Sequence, residues 1–143
     1  MATTTIRYAA PASRVTRTRA LSVAGAVLAA VAVWAVAVPL SGTHLLIRFG
    51  SGAAQSIGID YVIGASLAAS LAGWGLLALL ERRAARARRI WTGIAFVVVV
   101  LSLSLPLTAG ITMSSKVALA LMHVGVAAVL IPGMRRSPAP LTE

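Results

Sequence analysis

Four long apolar runs, separated by short polar segments, divide the chain. They cover residues 20–40, 57–80, 90–107 and 114–131. A helix rises about 1.5 Å per residue, so roughly 20 residues cross the ~30 Å hydrocarbon core of a bilayer. Inside that core a single segment can satisfy its own backbone hydrogen bonds only as a helix. The pattern therefore predicts four transmembrane helices.

The composition favours a membrane protein over a soluble one. Of the 143 residues, 59% are hydrophobic and 11% are charged, whereas soluble domains carry about 25% charged residues. Thirteen basic and three acidic residues are too few to cover the surface of a soluble chain of this length. We expect an all-α fold, an integral membrane four-helix up-down bundle.

The N-terminal part of the chain allows two interpretations. Residues 1–19 are basic and irregular, which predicts a disordered tail before a first span that is retained. Alternatively, they are the n-region of a secretory signal peptide, because an A-x-A sequence occurs at Ala35-Val36-Ala37. The apolar run is longer than a typical h-region, and Pro39 lies just beyond this sequence. We therefore expect a retained span, and a second short tail at residues 137–143.

A few residues predict where the later helices begin and end. Pro106 is expected to close or kink the third run, and Ser114 or Ser115 to cap the fourth. Pro132-Gly133 is expected to end the fourth run. Residues 41–56 join the first two spans as a loop. Within it, residues 44–49 could form a short amphipathic helix at the membrane surface or a loop against the bundle.

The basic residues are distributed unequally between the two ends of the predicted bundle. Eleven lie at one end: Arg7, Arg14, Arg17, Arg19, Arg82, Arg83, Arg86, Arg88, Arg89, Arg135 and Arg136. The other end has Arg48 and Lys116. Cytoplasmic ends are enriched in Lys and Arg, so we expect a multi-pass protein of the cytoplasmic membrane with both termini inside. The arginines of the turn at 81–89 are also expected to contact anionic lipid head groups.

Three ionisable residues form the candidate polar site: Asp60, Lys116 and His123. Asp60 and Lys116 begin two spans at the same outer end, so they could pair. His123 follows Lys116 by seven residues, on the same helix face and about 10 Å deeper. One hypothesis is an outward-opening, proton-responsive or ligand-binding site. The alternative is structural, with an ion pair at the surface and a neutral His123 bonded to another helix, for example at Ser102 or Ser104.

A row of small residues predicts a helix–helix contact. Ala65, Ala69 and Gly73 lie four residues apart on one helix face, and such rows let helix backbones approach closely in lipid. The contact could be within the chain or between chains. Trp74 and Trp91 lie near the ends of two spans and suit an aromatic belt.

The sequence contains few residues that catalysis or metal binding requires. It has no cysteine, which excludes disulfides and thiolate metal sites, and no phosphate loop or zinc-protease motif occurs. Glu81 is expected to pair with arginines of its own turn. Basic clusters beside apolar runs, with only 5% aromatic residues, argue against nucleic acid. We predict no catalytic residue, no metal site, no cofactor and no enzymatic activity.

Three segments resemble a known family. GWGLLALLERR (residues 73–83), RRIWTGIAF (88–96) and MHVGVAAVLIPGM (122–134) are similar to a family of small four-span membrane proteins of actinobacteria, a domain of unknown function. The resemblance extends from about residue 20 to 136. It implies four spans with an uncleaved first helix, and it implies no activity or substrate.

Two functional hypotheses follow from these observations. The first is a non-enzymatic accessory or interaction component of the membrane, which would associate with itself or with a membrane protein partner. The alternative is an oligomeric pathway for a small solute or for protons, formed around the outward-facing polar cluster.

Overall fold

Four helical segments dominate the computed structural model, which describes residues 12–137. Within this range all four are long and apolar enough to cross a membrane. In chain order, the elements are α1 (Ala12–Ala35), a π-helical turn (Val36–Leu40), β1 (Leu46–Ile47), β2 (Gln55–Ser56), α2 (Ile59–Glu81), α3 (Ala87–Ser102), α4 (Ser104–Ala109) and α5 (Met113–Arg136). The predicted all-α, four-helix membrane fold is confirmed.

The helices pack around α1. Ala26 and Ala30 of α1 are buried, and α1 lies along both α5 and α2, whereas α2 and α5 hardly touch each other. Small side chains permit this close packing of helices in lipid. The third span contacts α2 on one side and α5 on the other. The bundle therefore has a gap between α2, α3 and α5.

The first helix begins at Ala12, within the segment for which we predicted a disordered tail. Its first turns are packed, since Val15, Arg19 and Ser22 are all buried. Their contacts come from parts of the chain that are distant in sequence, which a local pattern does not show. Residues 1–11 and 138–143, the remainder of the two predicted tails, lie outside the described residues.

The prediction that Pro132-Gly133 ends the fourth span is wrong, because α5 continues through both residues to Arg136. Gly133 instead permits a close contact with α1. A Cβ atom at this position would lie 2.7 Å from the Cβ of Ser22, which is closer than two carbon atoms can pack. Met134, one residue further, is fully buried. Packing against α1 therefore holds the last turn of α5 together despite the proline.

The third span is interrupted shortly before Pro106, the residue that we expected to close or kink it. The span is interrupted at Leu103, where α3 ends and the six-residue α4 begins. A proline ring clashes with the carbonyl four residues earlier, which here belongs to Ser102, the last residue of α3. The break lies where this clash is expected.

The segment that joins α1 and α2 folds against the bundle as a small hairpin. Strands β1 and β2 pair antiparallel, and Leu45 and Ile47 are buried. Backbone hydrogen bonds tie the hairpin to the α4–α5 connection, from Arg48 N to Ala109 O (2.9 Å) and from Ile111 N to Leu46 O (3.1 Å). Of the two alternatives for residues 44–49, the loop against the bundle is correct.

Thr112, and not Ser114 or Ser115, caps α5. Its Oγ1 accepts a hydrogen bond from the backbone N–H of Ser115 at 3.1 Å. Ser115 is fully buried, and its hydroxyl donates a hydrogen bond to the carbonyl of His44, next to the hairpin, at 3.0 Å. The side chain that we expected to cap the helix is thus bonded to the loop between α1 and α2.

Candidate functional site

A cleft of about 460 Å³ occupies the gap between α2, α3 and α5. Sites for small molecules typically have volumes of ~300–1,000 Å³. Most lining residues are aliphatic and lie in the middle of their spans. The lining side chains that carry a polar atom are Tyr61, Ser66, Trp91, Ser102 and His123. The cleft is thus an apolar site at membrane depth with a small number of polar groups.

The row of small residues on α2 forms one wall of this cleft. Ala65, Ala69 and Gly73 all line it. Gly73 approaches the other helices, because a Cβ there would lie 3.5 Å from Leu130 and 3.8 Å from Trp91. Ala65 and Ala69 are exposed within the wall. Gly73 is thus the member of the row that lies against other helices of this chain, and a contact with another chain stays a prediction.

Trp91 helps to close the cleft at the end near the basic turn. It is 2% exposed, and its indole Nε1–H donates to the carbonyl of Gly73 at 2.8 Å. A buried tryptophan usually places its N–H on such a partner. Trp74 is only half-buried. Trp91 is thus a core residue that joins α3 to α2, rather than a residue exposed in a surface belt.

His123 projects into the cleft from α5. Its Nδ1 lies 2.7 Å from the carbonyl oxygen of Leu119, one turn earlier in the same helix. The expected partners on another helix are occupied, because Ser102 and Ser104 donate to carbonyls of their own helical turns at 2.8 and 2.6 Å. Among residues 12–137, the Nε2 atom of His123 makes no hydrogen bond.

The structure does not bring the three residues of the candidate polar site together. The exposed Asp60 turns its carboxylate back toward Gly58, at the N-terminus of its own helix, where the helix dipole favours a negative charge. The stem of Lys116 runs beside Gly110, with Cγ 2.7 Å from the place of a Cβ. Within the described range no ion pair joins Asp60 to Lys116, and only His123 lines the cleft.

A buried ion pair connects α1 and α2 at the opposite end of the bundle. Arg19 is 3% exposed, and its Nη2 lies 2.8 and 2.7 Å from the two carboxylate oxygens of Glu81. Its Nε also donates to the hydroxyl of Ser137 at 3.3 Å. The sequence predicts that Glu81 pairs with arginines of its own turn, and it does not predict the pair with Arg19. The feature that could have indicated this pair is an arginine at the start of the first span, at the same end of the bundle as a single acidic residue.

Arg88 is the arginine of the basic turn that Glu81 does engage. Its Nε lies 3.6 Å from Glu81, and its Nη1 donates to the carbonyl of Arg135 at 3.3 Å. The remaining arginines of the turn are exposed: Arg82, Arg83, Arg86 and Arg89. The contacts of Glu81 with Arg19 and Arg88 place the start of α1, the end of α2 and the start of α3 at one end of the bundle.

Among residues 12–137, no group of three or more His, Asp or Glu side chains could hold a metal ion.

The fold and the composition define a small multi-pass membrane protein with four apolar spans. The chain belongs to DUF6069, a family of unknown function, whose sequence model matches residues 10–140. No curated protein and no solved structure matches the chain significantly.

Proposed function

We propose that this protein is a non-enzymatic component of the cytoplasmic membrane that binds a lipophilic molecule in the α2–α3–α5 cleft. The cleft carries the proposal, because it has the volume of a ligand site and an apolar wall in the middle of the spans. Most membrane helices bury such a surface against one another. Here α2 and α5 make few contacts with each other, which leaves a concave surface facing the hydrocarbon.

An apolar molecule is the occupant that suits this surface. A void in a packed interior forfeits the dispersion contacts of the atoms that line it, so the cleft favours an occupant that fills it. Lipid tails are as apolar as leucine, so affinity in this setting comes from packing and hydrogen bonds rather than from the hydrophobic effect. A molecule that matches the shape of the cleft would displace ordinary acyl chains.

The titratable groups of the cleft support a binding role over catalysis. Of the described residues that line the wall, His123 and Tyr61 have titratable side chains and none has a carboxylate. In many catalytic sites a carboxylate orients the histidine and stabilises its charged form. Asp60 and Lys116, the other two residues of the candidate polar site, lie outside the cleft wall.

The distribution of charge supports an orientation with both termini in the cytoplasm. Three basic segments meet at the end of the bundle where Arg19 and Glu81 pair, and cytoplasmic ends are typically the basic ones. The exposed arginines of the turn at 82–89 are then placed to contact anionic lipid head groups of the inner leaflet. Lipid is the partner that this surface favours over nucleic acid.

Quenching of Trp91 fluorescence tests whether the cleft is occupied. The protein is placed in phosphatidylcholine nanodiscs with Trp34→Phe and Trp74→Phe, so that Trp91 is the one remaining tryptophan. A dibrominated octadecanol is the probe, because bromine quenches an indole only at close range. We expect saturable quenching that Ala69→Leu weakens severalfold by filling the cleft.

Ala68→Leu is the matched control, because Ala68 is an exposed neighbour that does not line the cleft. Equal quenching in the two leucine variants would overturn the proposal. A second copy of the chain is the competing occupant of the same surface. Cross-linking in the same nanodiscs detects it, and a dimer that Ala69→Leu dissociates, without saturable quenching in the parent protein, would also overturn the proposal.

A further inference from the structure

The polar groups in the wall of the cleft differ in what they offer to a bound molecule. A carbonyl oxygen can only accept a hydrogen bond. Because Nδ1 of His123 lies 2.7 Å from the carbonyl of Leu119, Nδ1 must carry the hydrogen in this bond. In a neutral imidazole the other nitrogen then has a lone pair and no hydrogen. Nε2 of His123 is therefore a hydrogen-bond acceptor in the middle of the membrane.

The two serines of the wall also offer hydrogen-bond acceptors and no donors. Ser66 donates its hydroxyl hydrogen to the carbonyl of Val62 at 2.6 Å, and Ser102 donates to the carbonyl of Val99 at 2.8 Å. A hydroxyl has one hydrogen and two lone pairs. With the hydrogens committed to the helix backbone, both oxygens can offer only lone pairs to a molecule in the cleft.

Donors are scarce in the same wall. The indole N–H of Trp91 is used by the carbonyl of Gly73 at 2.8 Å, and beyond the first turn of each lining helix the backbone N–H groups bond within the helix. The remaining side-chain donor is the hydroxyl of Tyr61, near the start of α2 and mostly exposed. The middle of the cleft thus presents acceptors without donors.

We propose that the cleft selects lipophilic molecules that carry a hydroxyl group, and that Nε2 of His123 accepts the hydrogen bond from this hydroxyl. This inference rests on the proposed binding function and adds the class of ligand to it. In hydrocarbon a hydroxyl without a partner is costly, so an alcohol gains from the acceptor at this depth. An ether or a ketone of the same shape gains nothing, because it brings only a further acceptor.

The test compares the dibrominated octadecanol with its methyl ether, using the Trp91 quenching assay described above. We expect half-maximal quenching at an about fivefold lower mole fraction of the alcohol. This factor corresponds to ~1 kcal/mol, the size of a typical hydrogen bond between partners in a membrane. In His123→Leu both probes should quench at similar mole fractions.

Comparison of the alcohol-to-ether ratio between parent and variant cancels the different partitioning of the two probes into the bilayer. His123→Phe, which keeps a ring at this position, replaces His123→Leu if the latter does not fold. An alcohol-to-ether ratio that does not change between the parent protein and the variants overturns hydroxyl selection and leaves the binding function intact. Absence of saturable quenching by either probe overturns the binding function itself.

Discussion

Neutralising Glu81 should destabilise the bundle more than any other single change at its basic end. Arg19 and Glu81 are 4% and 11% exposed at their side chains, with a shortest separation of 2.7 Å. Glu81→Gln keeps the size of the side chain and removes its charge. Arg19 then remains buried without a counter-charge, and the guanidinium of Arg88, 3.6 Å from the same carboxylate, loses its acid as well.

The expected cost follows from this burial. Removal of one partner of a buried ion pair typically costs about 3–5 kcal/mol, because an uncompensated charge stays in the interior. An amide oxygen can still accept a hydrogen bond from Arg19, so we expect a loss near the lower limit, ~3 kcal/mol. Arg19→Met should cost less, because Glu81 keeps Arg88 as a partner. The double variant should cost clearly less than the sum of the two single changes.

Reversible unfolding in mixed micelles of mild detergent and dodecyl sulfate, followed by tryptophan fluorescence, measures these free energies. Arg82→Gln is the control, because Arg82 is exposed and changes at such sites usually stay within ~0.5 kcal/mol. An unfolding free energy of Glu81→Gln within ~0.5 kcal/mol of the parent value would contradict a stabilising role of the ion pair. Additive effects of the two single changes would contradict it as well.

Three further predictions concern packing, topology and capping. Gly133→Ala should lower the melting temperature, because its Cβ would meet Ser22 at 2.7 Å, and Ser22→Gly should restore it; a melting temperature unaffected by Gly133→Ala would contradict the close packing. Since the chain has no cysteine, Ser51→Cys and Ala85→Cys can be labelled selectively, and an impermeant maleimide should label only Ser51→Cys in intact cells; labelling of Ala85→Cys instead would reverse the proposed topology. Thr112→Ala should reduce the unfolding free energy by ~1 kcal/mol through loss of the cap, and an unchanged value in the same micelle assay would show that the cap is dispensable.

Hydropathy predicted the fold well because the bilayer imposes it. A run of about 20 apolar residues has one way to satisfy its backbone in lipid, so the four spans follow from the sequence with little dependence on tertiary structure. The interruption before Pro106 was equally predictable, since the clash of a proline ring with a preceding carbonyl is local.

Features that depend on tertiary contacts were not predictable in this way. Pro132-Gly133 has the local signature of a helix end, yet α5 continues because Gly133 lies against Ser22 of α1. In the sequence, Arg19 is one of several basic residues in a predicted tail, and only the structure shows its ion pair with Glu81. The candidate polar site was the least predictable feature. Whether its polar residues meet depends on the rotation of each helix about its own axis, which the sequence does not specify. His123 faces a cleft that Asp60 does not line.

Different contacts hold the two ends of the bundle together. Hydrogen bonds between the β1–β2 hairpin and the α4–α5 connection hold one end, and the Arg19–Glu81 pair holds the other. The break at Leu103 lies between these two ends, in the span that forms one side of the cleft. Under the proposed function, a lipophilic molecule enters the cleft sideways, from among the acyl chains. Its rate of exchange should follow the fluidity of the membrane and the solubility of the molecule in it, and should not depend on the composition of the water on either side.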